Sequence, residues 1–334
     1  MRSVIVTGAA GFIGMHLAQM MLGQGWRVIG VDSHNDYYDP ALKSAREARL
    51  TPDANYRAVR GAVETPGLLM DLFAEERPQV VIHLAAQAGV RYSIDNPRAY
   101  VQANLLGTFE LLEAARAHPP DHMLLASTSS AYGANTQMPY RETDKADTQM
   151  SFYAATKKAN EAMAHSYANL YGLPITMFRF FTVYGPWGRP DMAPWLFTSA
   201  IHDGRPIKVF NHGDMQRDFT YVTDLVRAIT LLVDAVPGAA PVGRADSLSP
   251  AAPFRVVNIG NGDPVPLMQF IDAIETASGR AAVKQMLPMQ PGDVPATWAD
   301  TTLLRDLTGY APQTAVQDGV RAFVEWYRDY HRIG

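Results

Sequence analysis

Along the first 180 residues, short apolar runs alternate with longer stretches in which apolar residues return every three or four positions. The runs are Val4-Ile5-Val6, the stretch 27–31, Val80-Val81-Ile82, Met123-Leu124-Leu125 and the stretch 175–180. Unbroken runs of this length suit strands buried on both faces. The periodic stretches 12–22, 97–117 and 151–171 predict helices. Strands alternating with helices predict an α/β fold built on a doubly wound parallel sheet. Near Gly185 the rhythm changes. Pro186, Gly188, Pro190 and Pro194 crowd the chain, and short elements follow without regular alternation. Residues 1–180 are expected to form the sheet domain, with later segments returning to it. Residues 181–334 are expected to form mainly a smaller, interleaved α/β lobe. The segment 237–253, rich in Ala, Gly, Pro and Ser, predicts a flexible surface loop.

Composition narrows the partners. The formal charge is −4, and no run of five like charges occurs, which argues against nucleic acid and against an anionic membrane. A small anionic ligand remains compatible, because a few placed arginines can bind one. There is no cysteine, so disulfides, thiolate metal sites and thiol nucleophiles are excluded, and no metal is expected. No apolar stretch reaches the length of a membrane span. The opening residues run directly into a glycine-rich turn instead of a signal peptide, which predicts a cytoplasmic location.

That turn carries the first chemistry. Gly8, Gly11 and Gly14 stand in T-G-A-A-G-F-I-G, after the first strand and at the mouth of a helix. A helix N-terminus offers unpaired N–H groups and partial positive charge, and glycines let the backbone approach a pyrophosphate. Asp32 closes the second strand, where a carboxylate can accept both hydroxyls of an adenosine ribose and disfavours a 2′-phosphate. The cofactor expected is therefore NAD.

Tyr153 and Lys157 lie four apart on a predicted helix and share one face. An ammonium beside a phenol favours the phenolate, which makes tyrosine a usable base. Lys157 would also hold the cofactor ribose. Thr128, Ser129 and Ser130 follow the strand at 123–126, at the carboxyl end where open α/β sheets bind ligands. Their hydroxyls can bond a sugar hydroxyl and orient proton transfer.

Together these features resemble the extended short-chain dehydrogenase/reductase family, over essentially the whole chain. Six strings resemble the UDP-glucuronate 4-epimerases of that family. They are V-D-S-H-N-D-Y-Y-D-P-A-L-K (31–43), A-A-Q-A-G-V-R-Y-S (85–93), S-F-Y-A-A-T-K-K-A (151–159), R-F-F-T-V-Y-G-P-W-G-R-P-D-M-A (179–193), G-D-M-Q-R-D-F-T-Y-V (213–222) and Q-P-G-D-V (290–294). The resemblance implies a Rossmann-type NAD-binding domain and a UDP-sugar-binding lobe. It implies that Tyr153 is the base and Lys157 its partner. Besides the glycines and Asp32, it assigns Phe12, Ile13, Asn35, Val63, Leu84, Ala85, Ala86, Asn104 and Tyr184 to the cofactor. It assigns Thr128, Ser129, Ser130 and Thr182 to the uronate carboxylate and reacting hydroxyl, Arg189 to the same end of the pocket, Arg217 to the diphosphate, Asp293 to the nucleotide ribose, Val209 and Phe210 to the uracil pocket, and Arg91 to the substrate. Three positions depart from the pattern: Ala62 where an Asp near adenine is usual, Gln290 where UDP-galactose 4-epimerases carry Arg, and Met15 in place of a small serine.

Members of this family share a first step, in which carbon 4 of a nucleotide sugar is oxidised to a ketone. A 4,6-dehydratase needs an Asp-Glu pair after the threonine, and a UDP-glucuronate decarboxylase carries Glu at the second of those positions. Here they are Ser129 and Ser130. Simple 4-epimerisation of UDP-glucuronate to UDP-galacturonate needs neither carboxylate. A decarboxylase or another carbon-4 oxidising enzyme is the first rival, and a non-catalytic NAD-binding sensor or scaffold the second. A homodimer is expected through the helices 97–117 and 151–171, with Tyr100, Leu111, Met163 and Tyr167 as candidate contacts.

Overall fold

A computed structural model describes residues 1–238, 240–290 and 294–333. The strands are β1 Ser3–Thr7, β2 Arg27–Asp32, β3 Tyr56–Arg60, β4 Val80–His83, β5 His122–Ala126, β6 Ile175–Phe180, β7 Thr182–Tyr184, β8 Ile207–Val209, β9 Gln216–Tyr221, β10 Phe254–Ile259, β11 Pro264–Pro266, β12 Lys284–Met286 and β13 Ala296–Thr297. The helices are α1 Phe12–Gly23, α2 Pro40–Glu47, α3 Leu68–Glu76, α4 Tyr92–Asp95, α5 Pro97–Tyr100, α6 Gly107–Ala117, α7 Phe152–Tyr171, α8 Ala193–His202, α9 Val222–Leu232, α10 Leu267–Ser278, α11 Thr302–Thr308 and α12 Val316–His331.

Seven strands form one parallel sheet in the order β10-β6-β5-β4-β1-β2-β3. Alternate residues of β1 feed opposite cores. Val4 and Val6 pack with α1 and α9, while Ile5 packs with α3, α6 and α7. Burial on both faces is why these strands read as unbroken apolar runs. Strand order reverses between β1 and β4, and the carboxyl ends there open a crevice. The second half of the chain interleaves with the first, because β10 returns to the sheet edge beside β6. The smaller lobe carries the β11-β9-β13 sheet with β7 paired to β9, the β8–β12 pair, and a third core in which Phe219 and Phe270 stack at 4.0 Å.

Two expectations change. The stretch 97–117 is not one α-helix: residues Val101–Leu106 form a π-helical turn between α5 and α6. Asn104 in that turn is fully buried. Its side chain accepts from the Gln87 amide at 2.8 Å and donates to the Gln87 carbonyl and Thr156 Oγ1. Within the segment 237–253, expected to be loose, residues 242–248 are tied down by a buried ion pair. Asp246 accepts two bonds from Arg255, at 2.7 and 3.0 Å, and further bonds from the amides of Val242 and Leu248. Composition gave no sign of either. Among the helical contacts expected for a dimer, Tyr100 and Leu111 are fully buried within the chain itself. The large apolar residues these stretches leave exposed are Val101, Leu106, Phe109, Phe152, Leu170 and Tyr171.

No helix among the described residues is long and apolar enough to cross a membrane.

Candidate active site

The crevice at the β1–β4 reversal is lined by the glycine turn, the end of β2, the loops after β4 and β5, and one face of α7. The glycines are required by packing. Gly8 has φ +73°, and a Cβ there would sit 2.9 Å from the Ala85 nitrogen. A Cβ on Gly14 would lie 2.0 Å from the Gly8 carbonyl oxygen, and one on Gly11 2.9 Å from the same atom. Side chains here would force α1 away from the turn and fill the cradle. Gly11 stands at the N-cap of α1 with no side-chain cap, which leaves the first-turn amides facing the crevice. Asp32 is held by two amides, accepting from Ala10 at 3.0 Å and His34 at 2.8 Å. Behind the cradle, His83 bonds Thr7 Oγ1 at 2.8 Å, and burial lowers its pKa to about 3, so it is a neutral packing element.

Helix α7 starts cleanly because the Ser151 hydroxyl accepts from the Ala154 amide at 3.1 Å, and it ends at Gly172 with φ +66°. Tyr153 and Lys157 both face the crevice. Lys157 is 2% exposed, and its ammonium donates to the Ala126 carbonyl at 3.1 Å. Burial lowers its pKa to about 8. Burial raises the Tyr153 phenol, while the Thr128 hydroxyl and the Arg189 guanidinium pull it back down. Tyr100 packs edge-on against Tyr153, with ring centroids 6.0 Å apart.

Arg189 lines the crevice and is gripped by Asp191, from Nε at 3.0 Å and Nη2 at 2.5 Å. Asp191 also accepts from the Tyr37 hydroxyl at 3.1 Å. Burial, and then the Asp191 charge, push Tyr37 up to about 12. Thr128 caps the short turn that carries Ser129 and Ser130, accepting from the Ser130 amide at 3.2 Å. Beneath it, Ser127 donates to Glu161, and Arg179 grips the same carboxylate through Nε and Nη2.

Of the positions expected at the cofactor, Gly8, Gly11, Phe12, Ile13, Gly14, Asp32, Asn35, Val63, Leu84, Ala85, Ala86, Tyr153 and Lys157 line this crevice. Asn104 and Tyr184 are not among the residues lining it. Asn104 is walled in behind Gln87 and braces that loop instead of facing the crevice. The Tyr184 ring is buried in the lobe core, where it leaves no room for a side chain at Gly319. Among the substrate positions, the Val209 side chain is fully buried in the same core. Arg91 stacks over the Phe210 ring at 5.2 Å. Arg217 donates to the carbonyls of Val294 and Pro295. Asp293 lies outside the described residues. Ala62 sits between the crevice-lining Gly61 and Val63, and Met15 is fully buried beside α9. Sequence reasoning missed Tyr37, Tyr38 and Lys43 individually, although all three fall in the 31–43 string, and Gln87 in the 85–93 string.

Residues 4–243 match the NAD dependent epimerase/dehydratase family. The chain belongs to that family. A fellow member from Rhizobium meliloti (strain 1021), a probable UDP-glucuronate 4-epimerase, is 52% identical, covering 98% of this chain and 97% of that protein. UDP-glucuronate 4-epimerase 4 of Arabidopsis thaliana is 44% identical over 98% of this chain and 76% of its own length. Among solved structures of the epimerase family, the UDP-glucuronic acid 4-epimerase of Bacillus cereus in complex with UDP-glucuronic acid and NAD matches with a TM-score of 0.88. It is 31% identical, with 98% of this chain and 99% of that chain covered. The glycine cradle and the two-bonded Asp32 fit the dinucleotide that gives this epimerase family its name.

Proposed function

We propose that this chain interconverts UDP-glucuronate and UDP-galacturonate by oxidising and re-reducing carbon 4 of the sugar. The observation that carries the reading is the meeting, in one crevice, of a glycine cradle with a phenol and a buried ammonium on a single face of α7. Gly8, Gly11, Gly14, Asp32 and Lys157 would hold NAD, which when bound supplies a two-electron acceptor and donor for carbon 4. Tyr153, as the phenolate, takes the proton of the 4-hydroxyl while the carbon-4 hydrogen departs with its electron pair, leaving a ketone. On return, the hydrogen and its electron pair re-enter at the opposite face, and Tyr153 restores the proton to the oxygen. Lys157 stabilises the phenolate, and Arg189 adds a second positive charge near it.

The ketone of a uronic acid is a β-keto acid and loses CO₂ when the breaking bond aligns with the carbonyl π system. Thr128, Ser129, Ser130 and Thr182 would hold the carboxylate near the ring plane and oppose that alignment. The turn after β5 offers hydroxyls and no carboxylate, which favours epimerisation over elimination or decarboxylation. Arg217, Phe210 and Arg91 would bind the nucleotide, and Asp293 its ribose. Residues 1–180 together with β10 would form the NAD domain and the rest mainly the UDP-sugar lobe.

Two further parts of the reading concern the setting: a cytoplasmic location, where nucleotide sugars are made and used, and a homodimer. The exposed Leu106 and Phe109 on one helix and Leu170 on the other support the dimer. The function is tested by NMR analysis of purified protein incubated with UDP-glucuronate. UDP-galacturonate is the expected product, and Tyr153→Phe should slow its formation by about 10²–10⁴-fold. Retention of wild-type turnover in that variant would refute the assignment of the base.

A further inference from the structure

Arg189 reaches the crevice from a loop whose three preceding carbonyls are all held by the other domain. His16 of α1 donates from Nε2 to the Pro186 carbonyl at 2.9 Å. Arg46 of α2 donates to the Trp187 carbonyl from Nε at 3.1 Å and from Nη2 at 2.6 Å, and to the Gly188 carbonyl from Nη2 at 3.0 Å. Its Nη1 turns the other way, to the Tyr38 hydroxyl at 2.6 Å and the Ala10 carbonyl at 3.4 Å. Ala10 belongs to the glycine turn, and Tyr38 lines the crevice.

Arg46 is 0% exposed and makes no ion pair among the described residues. A buried guanidinium without a carboxylate is costly to keep, and only a set of well-aimed acceptors compensates it. Here a planar fork of donors spans four acceptors on three separate segments. Lysine, a point charge with three donors, cannot reproduce that span. Trp187 holds its carbonyl toward Arg46 by adopting φ +63°, which L-residues rarely take, and its ring is clamped against Trp326 at 5.2 Å and Tyr330 at 5.4 Å. The loop is thus pinned on both sides just before Arg189.

We propose that Arg46 is a positioning residue that couples the cofactor cradle to Arg189, so that one buried guanidinium sets both the glycine turn and the cation beside Tyr153. The inference rests on the epimerase reading for what Arg189 does, but not for what the cradle does. It explains why the segment 31–43 with its continuation to Arg46 and the segment 179–193, far apart in the chain, carry such particular residues: they are two halves of one clamp.

The test is a double-mutant cycle on the full chain with Arg46→Lys and Arg189→Lys, reading both retention of bound NAD through gel filtration and kcat/KM for UDP-glucuronate. Arg46→Lys should speed NAD loss by about 10-fold and lower kcat/KM by about 10–100-fold. In the Arg189→Lys background the same change should cost less than about 3-fold further in kcat/KM, because the positioned group is already altered. A merely structural role predicts independent, multiplicative losses, and that result would overturn the proposal, as would wild-type NAD retention in Arg46→Lys. If Arg46→Lys does not fold, Tyr38→Phe, which removes one acceptor of the fork, takes its place in the same cycle with the same two criteria. Failure of the wild type to make UDP-galacturonate would sink the epimerase reading alone, since the NAD-retention arm stands without it.

Discussion

The Lys157 ammonium donates to the carbonyl oxygen of Ala126 at 3.1 Å, so the cation on the helix that carries Tyr153 is tied to the strand end that leads into Ser127 and Thr128. No carboxylate is among the causes that set the lysine's proton affinity; burial alone lowers it to about 8. Catalysis needs Tyr153 deprotonated and Lys157 protonated. With the phenol raised above its ordinary value and the ammonium lowered to about 8, the rate should rise with pH to about 8, level off while loss of the ammonium offsets gain of the phenolate, and fall only once the phenol is fully ionised. In Lys157→Met the levelling near pH 8 should vanish and the rise continue to higher pH, because no ammonium is left to lose, with kcat lower by about 10²–10³-fold. Initial rates between pH 6 and 10 check this, and a levelling near pH 8 that persists in the variant would remove Lys157 from the role.

Holding the carboxylate is a separate task from moving the proton. Thr182→Val or Ser130→Ala should leave carbon-4 oxidation intact and divert part of the turnover to UDP-4-keto-pentose. NMR of the product mixture reads the partition directly. Inversion at carbon 4 with no pentose in either variant would show that these hydroxyls do not restrain the carboxylate.

A stability prediction comes from a group outside the chemistry. Glu142 is 8% exposed, accepts from the Asn258 amide at 2.8 Å, and is raised by burial to about 7 from 4.5. A carboxyl raised in the fold contributes its full stability below about pH 4.5, and loses it as pH climbs through about 7. Glu142→Gln keeps the acceptor and cannot ionise. It should be more stable than the wild type at pH 8, by an amount on the order of 3 kcal/mol at most, and the two should converge at about pH 4. Calorimetry at both values decides, and a gap independent of pH would place the effect in packing instead.

The proposed dimer is equally open to measurement. Phe109 and Leu106 are 42% and 49% exposed, next to the buried surface of the α6–α7 pair. Leu106→Arg combined with Phe109→Arg should convert a dimer to a monomer in sedimentation velocity while NAD stays bound. A wild type that sediments as a monomer would end that part of the reading.

Much of this was legible in the sequence, for physical reasons. Strands buried on both faces announce themselves as unbroken apolar runs, and the glycine turn is local, so β1, β4 and the cradle could be read residue by residue. Strand β3, Tyr-Arg-Ala-Val-Arg, could not, because it lies at the sheet edge, half-exposed and carrying two arginines. The π turn at Val101–Leu106 was hidden because apolar spacing does not distinguish a helix from one widened by a single residue. Arg46 was invisible for a different reason. A lone arginine reads as surface by default, and only the fold brings it under Trp187, 141 residues away. The same holds for Tyr37 and its Asp191 partner.

The central claim is that the hydrogen on carbon 4 leaves and returns within one active site. UDP-glucuronate deuterated at carbon 4, incubated with the protein in ordinary water, measures it directly. The account predicts UDP-galacturonate with deuterium still at carbon 4. Product carrying protium at that position, or label lost to the solvent while carbon 4 inverts, would contradict it.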